Sequence, residues 1–389
     1  MERILTPALD YDLTIYDRMY NAKNNKFHIY PKKYQPYIVG GLDYHEMNKA
    51  YKKYKVFLNV NTVQKSPTMF ACRVFELLAS GTNVVSGYAV GIEKFFKNIV
   101  KLSKSKEETK EHIDKLLVNE ELRDRLSLLG QREVFLKHTY KQRLETILDS
   151  IGYKYYKEKK KGVSVISCTN KIDSIKTIYS NFKRQKYNKK ELIIIANNNK
   201  IDIKEWEKFT EYDDFIHIYS MEEKATLGEC LNFAVKKSKY EIISKFDDDD
   251  YYGEKYLTDS INAFIYTEAS IVGKRSTYVY FKDKRILAIR DVRRENQYID
   301  LVTGPTLTFK KEIFKHVKFS KLNIGEDTKF QKDAKALGFK IYSIDRFNHV
   351  YLREKNGNNH TWKVKDEDIL KYSVIVNKNI DDYKSIVCV

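Results

Sequence analysis

Four consecutive carboxylates, Asp247-Asp248-Asp249-Asp250, follow directly on the apolar segment 241–246. Like charges this close repel, which raises some of their pKa values unless a cation neutralises them. Hard divalent ions take oxygen ligands, and magnesium is typically held by one or two carboxylates together with substrate phosphates. Carboxylates at the carboxyl end of a strand, followed by Tyr251-Tyr252-Gly253, therefore read as a site where a metal bridges a diphosphate. The competing reading is a solvated acidic turn that caps the next helix. A second pair, Glu326-Asp327, follows Gly325 and opens a helical pattern. Acidic residues favour helix N-termini through the dipole and the free N–H groups. The chemical alternative is a general base that deprotonates a hydroxyl nucleophile. A third group is His349, Arg353, His360 and Trp362, in a polar Gly- and Asn-containing stretch that reads as a loop closing over substrate. There Arg353 has the geometry to pair with phosphate.

The elements that must position these groups alternate between strands and helices. In the first part, strands are expected at 38–39, 56–60 and 83–86. Helices are expected at 44–54, 70–79 (closed by Gly81), 92–97, 106–117, 120–138 and 140–151. Alternation of this kind implies a parallel sheet covered by helices, with ligands at the carboxyl ends of its strands. The segment YKYYKEKKKG, 153–162, breaks the apolar periodicity and reads as a linker. The expected organisation is a first domain over 1–152, a linker over 153–161 and a second domain over 162–389. The second part restarts with strands at 163–168, 191–196, 215–219 and 241–246, and helices at 174–185, 227–237 and 254–267. Extended, partly antiparallel segments follow at 271–273, 278–281 and 286–289, and a helix at 326–337 is closed by Gly338.

Taken together, these motifs resemble a known family. Residues 162–362 are similar to a family 2 glycosyltransferase of the GT-A fold. Thr169 and Asn170 sit where that family's first nucleotide-contacting turn lies. Asn197, with Asn198 and Asn199, stands where the family usually carries an acidic pair. Gly228 and Asn232 match the helix that faces the nucleotide. Asp247-Asp248-Asp249 fits the metal-binding DxD motif, and Gly304-Pro305-Thr306 the acceptor-side turn. The resemblance implies Asp249, Asp247 and His349 as ligands of Mg²⁺ or Mn²⁺. It implies Asp327, with Glu326, as the catalytic pair, and Arg353 on the leaving diphosphate. Lys329 or Lys332 stands in for a basic residue the family often has after its acidic pair. The implied donor is a UDP- or dTDP-sugar, the acceptor a glycan, glycoprotein or lipid-linked hydroxyl, and the outcome inversion at the anomeric carbon.

The first part has its own resemblance. Ser66-Pro67-Thr68-Met69 and RVFELLASGTNVVS are similar to the nucleotide-sugar half of a GT-B glycosyltransferase of the spore-maturation type. This implies Glu76 on a donor ribose, Ser80-Gly81-Thr82 near phosphate, and a role in a spore or cell-surface glycan. About 150 residues hold one Rossmann-like half, so this domain is expected to be a binding or vestigial module. The fold class expected for the chain is thus α/β, a single Rossmann-like half followed by a GT-A mixed-sheet domain.

Composition narrows the alternatives less. The 389 residues carry 71 Lys and Arg against 53 Asp and Glu, a net charge of +18, with 30 Tyr and 20 Phe. That balance points to an anionic partner without choosing among nucleotide, nucleic acid and membrane surface. No zinc-finger, RNA-recognition or helix-turn-helix pattern supports specific nucleic-acid binding. A catalytically silent sugar-binding scaffold is the other alternative, against which the retained acidic motifs argue. No apolar run approaches the roughly 20 residues needed to span a bilayer. The N-terminal MERILTPALDYDLT lacks a signal-peptide pattern, and the four widely spaced cysteines fit a reducing compartment. A cytoplasmic location is expected, with peripheral contact at a membrane or spore surface.

Overall fold

The structure is a computed structural model that describes residues 1–21, 29–158, 160–354 and 364–389. It divides into two compact units, Met1–Tyr156 and Lys157–Val389.

In the first unit, Val56–Asn59, Asn83–Gly87 and Lys101–Ser103 form a three-stranded parallel sheet. The last of these strands was not expected; it is three residues long and starts on a lysine. The first is half-buried rather than buried, ending at Asn59. The helix expected from residue 44 opens as a tight turn, Tyr44–Glu46, and becomes α-helical over Met47–Lys53. Val74, Leu77 and Leu78 of the helix Arg73–Ala79 pack with Val84, Ile92, Phe96 and Val134 into the core. Longer helices follow at Lys106–Val118, Glu120–Lys137 and Tyr140–Ser150. Each is capped by a side chain, Ser105, Asn119 and Thr139 respectively, that accepts from the backbone N–H of Glu108, Leu122 and Gln142.

The second unit is built on an eight-stranded mixed sheet. Its parallel centre is Ile242–Lys245, Val163–Thr169, Lys190–Ala196 and Ile216–Ser220, in that spatial order. Thr308–Lys310 joins antiparallel beside Ile242–Lys245. The run Leu192–Ala196 is apolar at every position because both faces are covered. Leu192, Ile194 and Ala196 pack with Ile178, Phe182 and Trp206 on one side. Ile193 and Ile195 pack with Leu231, Phe309 and Phe330 on the other. The helix Ile203–Phe209, capped by Asp202, was not read from the sequence.

A second, five-stranded sheet sets the order Tyr251–Tyr252, His349–Arg353, Thr277–Phe281, Ile286–Arg290, Ser373–Asn377. Its first pair has Tyr252 opposite His349, which brings a residue from the end of the chain to the aspartate turn. The helix Glu326–Ala336 starts after Gly325, whose φ of +82° is costly for any other residue type.

Candidate active site

The strands Val163–Thr169 and Ile242–Lys245 run parallel, so their carboxyl ends deliver Thr169 and Asp247 to the same edge of the sheet. Thr169 Oγ1 donates to Asp248 Oδ2 at 2.5 Å. Lys171 Nζ lies 2.9 Å from both Asp248 Oδ1 and Asp249 Oδ2. Lys245, itself buried, pairs with Asp247. Three adjacent carboxylates are thus met by two ammonium groups. Burial disfavours the charge on Lys171, but Asp249 and Asp248 outweigh it and raise its pKa. Lys245 behaves alike, with Asp247, Asp327 and Glu326 overcoming its burial. Burial also raises the Asp247 carboxyl, against the pull of Lys245.

The fourth aspartate departs from the other three. Asp250 is fully buried, bonds His349 Nε2 at 3.1 Å and accepts from the Leu352 N–H at 3.3 Å. Burial drops the His349 pKa to about 3, so its ring is neutral. Its Nδ1 is buried without a hydrogen-bond partner among the described residues, and His349 is one of the residues that line the cleft.

Tyr252 ties the aspartate turn to the turn Gly304–Thr306. Its ring stacks on Phe246 with centroids 3.8 Å apart. Its hydroxyl accepts from the Asp247 N–H at 2.8 Å and donates to the Pro305 carbonyl at 2.7 Å. Next to Pro305, Gly304 faces Asp327; a Cβ at Gly304 would sit 1.6 Å from Asp327 Oδ2. Asp327 Oδ1 accepts from the Thr328 N–H at 2.5 Å. Glu326 is buried, and that burial raises its pKa to about 7 against the opposing effect of Lys245, with Asp327 adding to the rise.

These groups open into one cleft of about 750 Å³. Thr169, Asn170, Asn197, Asp247, Asp248, Asp249, Glu326, Asp327 and His349 all line it. Asn197 is oriented by donating to the Glu222 and Ala225 carbonyls at 3.0 Å. Among the described residues no three His, Cys, Asp or Glu side chains converge as a closed metal cage. The adjacent carboxylates of Asp247 and Asp249 line the cleft and are oxygen donors of the kind a hard divalent ion takes.

Three expected residues stand elsewhere. Arg353 is buried, held by Asp366 at 3.0 Å and by the Val364 carbonyl at 2.6 Å, and it does not line the cleft. Asn232 grips the backbone of Phe319, donating to its carbonyl at 2.8 Å and accepting from its N–H at 2.9 Å. Gly228 lets the loop after Phe319 approach its helix; a Cβ there would lie 1.8 Å from the Ser320 carbonyl. Each of the three is engaged by other parts of the chain, and none of them lines the cleft. Lys329 pairs with Asp333 along its own helix and Lys332 is exposed, so neither supplies a cation to the cleft. His360 and Trp362 lie outside the described residues. The cations the sequence reading did not assign are Lys171, Lys224, Lys245, Arg275 and Arg290, which line the cleft instead. In the first unit, the Ser80, Gly81 and Thr82 N–H groups are bonded to the Glu76, Leu78 and Leu77 carbonyls. They close a helix, and do not face an open phosphate site.

Residues 164–323 match the family model described as glycosyl transferase family 2, and residues 13–149 the model described as glycosyl transferase-like. A curated relative, the O-antigen biosynthesis glycosyltransferase WbnJ of Escherichia coli, is 28% identical over 159 residues. That match covers 39% of this chain and 62% of the relative. Among solved structures, TarS residues 1–349 from S. aureus in complex with UDP-GlcNAc is 15% identical at a TM-score of 0.41. It covers 54% of this chain and 64% of that one. GalNAc-T7 with UDP, GalNAc and Mn²⁺ is 11% identical at a TM-score of 0.42, over 52% of this chain and 46% of that one. Matches to glycosyltransferase models thus fall in both units, and the chain spans less than two thirds of the length of these relatives.

Two consequences can be measured. A carboxyl whose folded pKa is raised contributes stability that is fully present below its unfolded value and lost as pH rises through the folded one. For Glu326 that window runs from the ordinary 4.5 up to about 7. Wild-type protein is expected to lose up to about 3 kcal/mol across it, and Glu326→Gln to flatten this slope in urea unfolding; equal slopes in the two proteins contradict the assignment. Asn232→Ala leaves both backbone groups of Phe319 without their partner, at an expected cost of about 1–3 kcal/mol. An unchanged urea midpoint would show that the grip on Phe319 holds nothing together.

Proposed function

We propose that the second unit transfers a sugar from a nucleoside diphosphate sugar, with UDP or dTDP as the nucleotide, to an acceptor hydroxyl of a cell-surface glycan. The observation that carries this reading is the meeting of the aspartate turn and Glu326-Asp327 in one cleft at the carboxyl ends of parallel strands. The family 2 match supports the reaction class, and the O-antigen relative supports a surface glycan as product. The domain bounds proposed with it are 1–152 and 162–389, joined by a linker at 153–161; the two compact units meet within that segment, at Tyr156 and Lys157.

Thr169, Asn170 and Asn197 line the end of the cleft nearest the first two parallel strands and are assigned to the nucleotide. Asp248, fixed by Thr169 and Lys171, is assigned to the ribose side. Asp247, Asp249 and His349 Nδ1 would hold Mg²⁺ or Mn²⁺, which when bound neutralises the negative charge of the diphosphate. Lys171 and Lys245 already carry positive charge to the same place. On the acceptor side, Asp327 takes the proton from the acceptor hydroxyl. The hydroxyl oxygen forms its bond to the anomeric carbon as the bond from that carbon to the diphosphate oxygen breaks. The diphosphate leaves with the electron pair, and attack from the face opposite to it inverts the configuration. The buried Glu326 sits beside Asp327 and Lys245 and tunes the charge around the base.

Asp327→Asn removes the proton acceptor and is expected to lower kcat by about 10²–10⁴-fold while donor binding stays close to wild type. Gly304→Ala pushes a methyl group into the space of the Asp327 carboxylate and should lower kcat in the same sense. Full turnover by Asp327→Asn with UDP- and dTDP-sugar donors would refute the base. Asp249→Ala should abolish the Mn²⁺-dependent part of donor binding in calorimetry; identical binding with and without a chelator, in wild type and variant alike, would refute the metal.

A further inference from the structure

The helix Tyr140–Ser150 buries none of its residues. It is held on the first unit by polar contacts. Thr139 and Gln142 cap it reciprocally, and the Arg143 guanidinium lies 4.4 Å from the centre of the Phe75 ring. Leu148 of this helix is half-buried, while four other apolar residues are exposed. Tyr140, Leu144, Ile147 and Ile151 recur at spacings of four, three and four, which places them on one face. They are 82%, 56%, 59% and 69% exposed. Tyr153 and Tyr156 follow, 62% and 84% exposed. An isolated exposed leucine needs no explanation, but an ordered stripe along a capped helix does.

We propose that this stripe docks on an anionic lipid surface. The choice of occupant rests on charge and on residue type. The segment 153–161, directly after the stripe, holds five lysines and one glutamate, a net charge of +4. Lysines beside an apolar helix face are attracted to acidic headgroups, and the two signals together give an attachment that neither supplies alone. Tyrosines bracket the aliphatic residues, and tyrosine prefers the boundary between acyl chains and water, where the ring is buried and the hydroxyl stays wet. No helix among the described residues is long and apolar enough to cross a membrane. The stripe lies on the membrane plane, with Leu144, Ile147 and Ile151 entering the acyl boundary.

The test is cosedimentation of the full chain with vesicles of phosphatidylcholine alone and with about 30% phosphatidylglycerol. Binding should favour the acidic vesicles by about tenfold or more and weaken between about 0.05 and 0.5 M salt. Leu144→Glu with Ile147→Glu should reduce that binding by about tenfold at an unchanged urea midpoint. Ile147→Trp should strengthen it, and decides the matter if the double variant unfolds. Equal binding by wild type and the folded double variant would mean that only the diffuse +18 charge attracts the vesicles, and overturns the proposal. So would a lack of preference for acidic lipid, a neutral Ile147→Trp, or a dimer in light scattering that the double variant abolishes, since a second copy would then cover the stripe.

Discussion

The second unit depends on how it handles three carboxylates crowded at the end of one strand. Asp247, Asp248 and Asp249 cannot share one edge of a sheet as bare anions, because their mutual repulsion is strongest where water is scarce. Lys245 answers from within the same strand and Lys171 from the turn after the neighbouring parallel strand. Both lysines keep their charge despite burial because the aspartates outweigh the cost. The pairing of the strands Val163–Thr169 and Ile242–Lys245 is what places donor and acceptor of this charge exchange side by side. That register is what brings Lys171 within 2.9 Å of both Asp248 and Asp249.

The rest of the site follows from holding that turn still. Stacking of Tyr252 on Phe246 fixes the ring that carries the hydroxyl, and the hydroxyl then joins the Asp247 N–H to the Pro305 carbonyl. Pro305 brings Gly304 against Asp327, so the acidic turn and the acidic helix start are linked through one phenol and one glycine. Gly325 permits the sharp entry into the helix Glu326–Ala336, which leaves Glu326 buried and Asp327 facing the cleft. Glycine is required at both places for different reasons: absence of a side chain at 304 and a left-handed backbone at 325. Asp250 stabilises the same turn from its far side by engaging His349, whose strand pairs with Tyr251–Tyr252.

What the sequence disclosed depended on whether the information was local. Apolar runs such as Leu192–Ala196, and helix starts such as Thr226 with Glu229, carry their structural meaning within a few residues. Strand ends could therefore be read to within a residue or two, and the aspartates at one such end could be read as chemically placed. Arg353 was different. It stands at the edge of a polar stretch and looked free to bind an anion, yet Asp366, thirteen residues later, holds it in a buried ion pair. Asn232 looked like a ligand-facing amide on a helix, but its partners are on Phe319, 87 residues away. Lys171 and Lys245 carried no motif of their own; their value comes from facing carboxylates 77 and 2 residues distant, and only the sheet register shows which carboxylates those are. The short strand Lys101–Ser103 was missed because three residues are too few to show a period.

The large positive charge takes on a division of labour in this light. A few cations, Lys171 and Lys245 foremost, are committed at close range to a carboxylate cluster and set the electrostatics of the cleft. Others, such as Lys329 with Asp333 and Lys340 with Glu268, are exposed pairs on the surface, which contribute little to stability. The cations after the helix Tyr140–Ser150 belong to neither group: five occur within nine residues with one glutamate among them, next to an apolar face that the first unit does not bury. Net charge alone treats these lysines as equal. Their neighbours separate them, since a lysine between two aspartates serves the cleft, while a lysine beside exposed tyrosine and isoleucine acts outward, on whatever acidic surface the protein meets.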